Sequence, residues 1–438
     1  MDETRAGKQG WGVVWILGAG LALRVGWLAY ARPAPVSDFL HYKILAEDLV
    51  DRHCFGFPEA TARRMPAYPL FLAAGMLVSR SDAWLSFLNI CLALGICAEV
   101  WFLTRRLLQE RAAWWACLVC ALNPGFVFFS PVLASEHLFT VLMLGSMLLA
   151  WPESGRGIGR ACLSGLLWGM AMLARGEGLF YLPIIAGLNL WPMVRGQTHP
   201  GGPRGWSFRQ GVLACVAGGG VLLPWYLRNA VVMGPGVGLG TTGGLVFYCA
   251  HNPYTYGYAP SLKDQAELYE MKNETEAQRL AYQRAWAHLK AHPAALLRST
   301  FWGTVWLYAP SVYGIEWSTR LTPDAPGGWD VKPLWGRRGF WYLSLAGYGV
   351  LLLGVLLSPL TWREWTRLNV FVIAGMILCN WLCYGVIFAG NPRYHYWSEI
   401  FFCVMAGAVA ARLVKRGGQA AMVADRAGQD RRGREETA

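Results

Sequence analysis

Residues 11–31 read WGVVWILGAGLALRVGWLAYA, and residues 36–53 read VSDFLHYKILAEDLVDRH. The first stretch has the length, roughly 20 mainly apolar residues, that a helix needs to cross hydrocarbon. It is too long for the apolar part of a cleaved signal peptide and has no convincing small-residue cleavage site after it, so a retained first span is expected. Its Arg24 lies near the outer end, where snorkelling to the interface is the simplest expectation. The second stretch is amphipathic: Phe39, Tyr42, Ile44, Leu45 and Leu49 alternate with His41, Lys43, Glu47 and Asp48. A membrane anchor is thus followed by an acidic helix, and the question is what its carboxylates do.

Composition extends the membrane reading to the whole chain. Of 438 residues, 55% are hydrophobic and 15% charged, against roughly 45–50% and about 25% in soluble domains. The 23 Trp and 18 Tyr suit a protein with many interfacial belts. The net charge of +12 comes from Lys and Arg in the gaps between apolar runs, which marks cytoplasmic loops rather than a nucleic-acid surface. Eleven Cys lie mostly inside apolar runs; Cys117/Cys120 and Cys379/Cys383 read as packing residues, with neither a disulfide framework nor a zinc site implied.

Spans are expected near 11–31, 83–104, 112–131, 135–152, 161–174, 177–193, 211–231, 339–358, 368–389 and 396–414, with a shorter apolar helix at 66–79 that begins at Pro66 and Pro69. With the N-terminus inside, Arg105, Arg106, Arg111, Arg156, Arg160, Arg195, Arg204 and Arg209 fall on the cytoplasmic side. That places 32–82, the turns at 131–136 and 174–177, and a long segment from 232 outside. Residues 294–312 cannot complete a crossing in this register, so ten spans are expected, or eleven if a neighbouring boundary shifts. Asp264 to Leu289 has the polar, helical pattern of an external helix pair ending at His292-Pro293. The expected organisation is an all-α polytopic membrane domain over 1–415, with an external loop at 32–82 and a polar helical segment at 232–293. The tail 416–438 is expected to be disordered and cytoplasmic. No fixed-period repeat is visible.

Asp38 opens the amphipathic helix, where a carboxylate is stabilised by the helix dipole. Residue chemistry alone leaves it open between a cap and a reactive group. Its surroundings carry a resemblance. D-x-x-x-Y-x-x-x-A from Asp38 to Ala46, then MPAYPLFLA at 65–73, SEHLF at 135–139, LARGEG at 173–178, PWYLRN at 224–229, HNPYTYGY at 251–258 and GNPRYHY at 390–396 occur in order across nearly 400 residues. Together they resemble the GT-C glycosyltransferases that use polyprenyl-phosphate sugars, in particular bacterial relatives of protein O-mannosyltransferases and aminoarabinose-lipid A transferases.

The resemblance implies a GT-C-like bundle of about 10–11 transmembrane helices with interfacial helices in the first external loop. It also implies inverting transfer of a hexose or pentose from a polyprenyl-phosphate carrier to a hydroxyl of a glycan, lipid or protein, on the outer face of a bacterial inner membrane. Asp38 takes the position of the catalytic base. Phe39 stands where the family often has a second carboxylate, so no metal or other cofactor is expected. Arg393, Arg175 and Arg228 are candidates for the donor phosphate because a guanidinium fork matches phosphate oxygens. Each has a simpler reading: Arg175 pairs with Glu177, Arg228 snorkels, and Arg393 anchors an aromatic belt. Tyr68 is expected beside the carrier, and Glu136, His137, Tyr42, Asn252 and His395 along the cavity. Asn252 also suits a turn, and Asn273-Glu274-Thr275 forms a sequon of little weight here. A transporter or flippase of lipid-linked sugars is the rival class, but it calls for ionisable groups in mid-span, whereas these gather at one face; a glycan ligase or polymerase shares the architecture. No nucleic acid is expected as a partner.

This topology has a direct check. A single cysteine introduced within 315–338 should react with a membrane-impermeant thiol reagent from outside the cell; reaction only from the cytoplasmic side overturns the register.

Overall fold

In a computed structural model of the chain, residues 3–151, 157–194, 206–254, 263–310, 312–321 and 332–435 are described. Among them the regular elements are helical. The apolar N-terminal stretch is α1 (Glu3–Ala31), and the amphipathic stretch is α2 (Asp38–Arg52). The Pro66/Pro69 helix is α3 (Ala67–Met76). The first return crossing is α4 (Asp82–Leu107), started by the Ser81 hydroxyl accepting from the Trp84 amide. The run expected at 112–131 is broken into α5 (Glu110–Leu122) and α6 (Pro124–Phe129). At the break, Asn123 Oδ1 accepts from the Gly125 amide, and Pro124 occupies the first helical position, where no backbone donor is needed.

α7 (Ser135–Ala150) and α8 (Ile158–Ala174) follow, then a 3₁₀ turn (Gly176–Tyr181), α9 (Leu182–Val194) and α10 (Trp206–Val232). Beyond α10 come α11 (Gly243–Ala250), α12 (Lys263–Glu270) and α13 (Glu274–Ala291). The last two coincide with the polar helix pair read from the sequence. Asn273 starts α13 by accepting from the Glu276 amide, and Ala277, Ala281 and Ala285 form the buried stripe on which it packs. α14 (Ala294–Leu307) and α15 (Tyr313–Thr319) precede the last crossings: α16 (Arg337–Leu357), α17 (Arg367–Trp381) with a π-helical extension (Leu382–Ile387), and α18 (Tyr396–Glu435).

Six helices among the described residues are long and apolar enough to cross a membrane: Gly12–Ala31, Asp82–Leu107, Phe208–Val232, Arg337–Glu364, Arg367–Ile387 and Pro392–Gly417. The protein is a multi-pass membrane protein. Other expected spans are helices of shorter reach: α7 and α8 have 16 and 17 residues, roughly 24–26 Å at about 1.5 Å per residue, against a hydrocarbon thickness of about 30 Å. α14, at 14 residues, is short, as the parity of the topology requires. The basic loop containing Arg195 and Arg204, Arg156, and Gly257 of the HNPYTYGY motif lie outside the described residues, as do 322–331.

Two expectations are corrected. The tail is not without structure: the helical backbone of α18 continues to Glu435, because its Ala, Gln, Arg and Met favour helix and extending an existing helix has no nucleation cost. Arg24 does not snorkel. It is 1% exposed and turns inward, donating to the carbonyl oxygens of Ala121 (2.6 Å) and Gly20 (3.1 Å) at the α1–α5 contact.

The bundle closes where small residues let backbones touch, the usual basis of helix association in lipid. On α8, Gly165 and Gly169 face Ala214 and Gly218 of α10; a Cβ built on Gly165 would lie 1.9 Å from the Ala214 carbonyl oxygen. Gly165→Val should therefore force α8 and α10 apart and cost at least about 1–3 kcal/mol, read as a lower melting temperature in detergent. Gly219→Ala on α10 meets nothing within 4 Å and should melt like the wild type.

Candidate functional site

α2 lies along α3 with Phe39, Tyr42, Leu45 and Ala46 buried, and the Tyr42 and Tyr68 rings meet edge-to-face at 5.1 Å. This packing leaves the four carboxylates of the stretch in different surroundings. Glu47 and Asp82 share Lys43 at 3.8 and 2.8 Å. Asp48 pairs with Arg52 one turn later, and Asp51 takes both guanidinium nitrogens of Arg80 at 2.6 and 3.0 Å. Asp38 alone is reached by two arginines from outside the stretch. Arg64 Nη2 lies 2.5 Å from its Oδ1, and Arg393 Nη2, 355 residues away, 3.1 Å from its Oδ2.

Burial works against the Asp38 charge, but the guanidiniums of Arg64 and Arg393 override it and hold the carboxyl well below the usual carboxylate range. Arg64 gains correspondingly: burial alone would lower it, and Asp38 raises it. The sign follows from the depressed carboxyl: the pair contributes stability at neutral pH and loses it only under strong acid.

The charges continue past Asp38. Arg393 Nε stands 2.9 Å from Glu136 Oε1, Arg175 Nη1 stands 2.8 Å from the same oxygen, and Arg175 also pairs with Glu177. The result is an alternating row, Arg64–Asp38–Arg393–Glu136–Arg175–Glu177, of three cations and three anions. Arg393, Glu136, Arg175 and Glu177 are at most 12% exposed at their side chains, so each charge depends on its neighbours.

Three residues of the row are aimed by local features. Arg393 follows Gly-Asn-Pro, where Asn391 Oδ1 accepts from the Arg393 amide, and its guanidinium lies over Phe39, Trp317 and Tyr394 at 5.2–5.4 Å. Glu136 is on the first turn of α7, where the helix dipole favours a carboxylate. Arg175 ends α8 in extended conformation. It also donates to Ser135 Oγ (3.3 Å) and Tyr384 OH (3.2 Å), while Tyr42 OH lies 3.1 Å from the same Ser135 oxygen. A small cavity opens beside the row, lined by Glu136, Arg175, Glu177 and Arg393 together with Asn380, Tyr394 and Trp397.

Asp38, Arg393, Arg175, Glu136 and Tyr42 are thus brought together. Other candidates are not. Arg228 neither snorkels nor reaches the row: it donates to the carbonyls of Thr61 (2.8 Å) and Phe55 (3.1 Å) and lies over the Trp225 ring at 4.8 Å, pinning the first external loop. His395 points into the bundle, with Nδ1 on the Leu307 carbonyl, Nε2 2.7 Å from Glu399, and the Tyr348 ring stacked on it at 5.0 Å. His137 is fully buried between Phe129 and Tyr396. Tyr68 is fully buried and donates to Asn89 (2.9 Å), supporting Tyr42 from behind. Asn252 closes a turn, its Oδ1 accepting from the Tyr254 amide and its Nδ2 donating to Tyr248 and Cys249.

Arg64 and Tyr384 contact the row and are not evident from the motifs. Arg64 carried one signal: two consecutive arginines, Arg63 and Arg64, stand in a loop that the charge asymmetry otherwise places outside. Among the described residues no three His, Cys, Asp or Glu side chains converge as metal ligands.

No protein-family model matches the chain, and no curated protein sequence matches it. Solved structures do. The archaeal oligosaccharyltransferase AglB from Archaeoglobus fulgidus, in complex with an inhibitory peptide and a dolichol-phosphate, is 12% identical with a TM-score of 0.52, covering 95% of this chain and 52% of that one. The apo form of the Archaeoglobus fulgidus oligosaccharyltransferase is 13% identical with a TM-score of 0.53, covering 94% and 51%. ArnT from Cupriavidus metallidurans, bound to undecaprenyl phosphate, is 14% identical with a TM-score of 0.43, covering 92% and 78%. The chain spans about half the length of the two oligosaccharyltransferase chains, and the shared fold is the GT-C-like membrane bundle.

Removing the shared anion tests the interdependence of the row. Glu136→Ala leaves the buried guanidiniums of Arg175 and Arg393 facing each other and should cost about 3–5 kcal/mol, read as a lower unfolding midpoint in detergent.

Proposed function

We propose that the protein is an integral-membrane glycosyltransferase that moves a sugar from a polyprenyl-phosphate carrier to an acceptor hydroxyl at the outer face of the membrane. The observation that carries this reading is the sharing of Asp38 between Arg64 and Arg393, with Arg175 one carboxylate further along the row. The phosphodiester of a polyprenyl-phosphate sugar and a carboxylate compete for the same guanidinium geometry. An arriving donor phosphate takes over donors of Arg393, Arg175 or Arg64 and releases Asp38 from part of its neutralising field.

That exchange sets the chemistry. With both guanidiniums on it, Asp38 is a poor proton acceptor; with one of them turned to phosphate, its basicity rises. The acceptor oxygen attacks the anomeric carbon from the side opposite the phosphate, and the new C–O bond forms as the C–O bond to phosphate breaks. The bonding pair leaves with the phosphate, whose added charge the arginines stabilise. Asp38 takes the acceptor's proton, and the sugar is inverted. Charge stabilisation of the leaving group thus comes from guanidiniums, and the reading assigns no metal to the site. The fold is that of a protein described with a dolichol-phosphate bound, which agrees with a lipid-carried donor, and the positive-inside pattern favours the outer side for Asp38.

Purified protein supplied with labelled polyprenyl-phosphate sugars and membrane extract should label an acceptor and release carrier phosphate. Asp38→Asn should lower turnover by about 10²–10⁴ in protein that still inserts and folds; an Asp38→Asn variant at wild-type turnover removes Asp38 as base. Arg393→Ala and Arg175→Ala should each weaken carrier-phosphate binding by about tenfold. Unchanged affinity in both removes their phosphate role.

A further inference from the structure

The sequon Asn273-Glu274-Thr275 has no part in the chemistry above, yet its middle residue is a carboxylate with four polar partners. Glu274 opens α13, and its side chain is 11% exposed. Oε1 accepts from the Thr61 hydroxyl (2.5 Å) and stands 3.4 Å from Arg63 Nε; Oε2 accepts from the Ala62 amide (3.0 Å) and the Thr241 hydroxyl (2.8 Å). One carboxylate therefore ties residues 61–63 of the first external loop to α13 and to the segment ahead of α11.

Around this knot the loop is held on every side. The Thr241 amide donates to the Ala62 carbonyl (3.1 Å) and the Thr242 hydroxyl to the Arg63 carbonyl (2.6 Å). Arg63 donates to the carbonyls of Tyr269 (2.7 Å) and Met271 (3.0 Å) at the end of α12. The next residue in the chain is Arg64, whose guanidinium reaches Asp38. The backbone that launches Arg64 is thus pinned, residue by residue, by the polar helix pair and by the segment ahead of α11.

We infer that Glu274 is a positioning residue: it fixes loop 61–63 on α13 so that Arg64 meets Asp38 and the carrier phosphate, coupling the external α12–α13 unit to the site. The inference rests on the phosphate-binding reading of the site and adds a residue that touches neither phosphate nor Asp38. A residue that acts through Arg64 has no effect once Arg64 is gone, whereas one that merely supports the fold weakens binding in either background.

The test is a double-mutant cycle on the full chain in detergent, with undecaprenyl phosphate as the probe and its dissociation constant as the readout. Arg64→Ala should weaken binding about tenfold. Glu274→Ala should weaken it about fivefold when Arg64 is present and by less than twofold in the Arg64→Ala background. Glu274→Gln, which keeps the size and one acceptor oxygen, should fall between Glu274→Ala and wild type, and it carries the same cycle if Glu274→Ala does not fold. An unchanged affinity on altering Glu274, or an equal loss in both backgrounds, overturns the inference while leaving the phosphate reading in place. An Arg64→Ala variant with wild-type affinity also overturns it; Arg393→Ala then decides the phosphate reading separately, since Arg393 has no contact with the loop that Glu274 holds.

Discussion

The charges of the site can exist at low exposure only because they alternate. Transferring one guanidinium or carboxylate out of water costs several kcal/mol, and the cost is recovered only when an opposite charge stands at contact distance in good geometry. Arg393 and Arg175 both meet the same oxygen of Glu136, and Arg393 and Arg64 take opposite oxygens of Asp38. With three cations and three anions the row is neutral. A row built this way holds its guanidiniums in fixed positions through its own carboxylates.

The rest of the fold serves this alignment. The six members of the row come from five separate places: the start of α2, the loop before α3, the start of α7, the turn after α8, and the Gly-Asn-Pro turn before α18. Their convergence requires the helices to approach closely, which the small residues of α8 and α10 permit, and which Gly407 of α18 repeats against Ala112 and Ala116 of α5. The interior arginine of α1, Arg24, makes a comparable demand in another place, where backbone carbonyls left free near the Asn123-Pro124 break accept its protons.

Local chemistry made much of this readable in advance. The apolar runs, the Pro66 and Pro69 helix start, the polar pair α12–α13 and the short α14 all follow from composition and periodicity, which need only a few neighbouring residues. Asp38 stood out by its place after the first span, and Arg393 and Arg175 by lying in turns at helix ends. Arg228 and His395 misled for one reason: a place near the end of a span does not show which way a side chain points. Arg228 turns to the carbonyls of Phe55 and Thr61, and His395 into the core. The break at Asn123 had its signal in Pro124, which a window average of hydropathy dilutes.

The sequence by itself determined a helical membrane protein with an acidic helix after its first span, because hydrophobic length and amphipathic period are local properties of the chain. It could not determine that Asp38, among four carboxylates, is the one that meets Arg64 and Arg393, nor that Glu274 holds the loop from which Arg64 extends. Those pairings join residues 26, 355 and more than 200 positions apart. They are decided by how the helices pack, since only packing brings such groups within reach and excludes enough water for each charge to require the other.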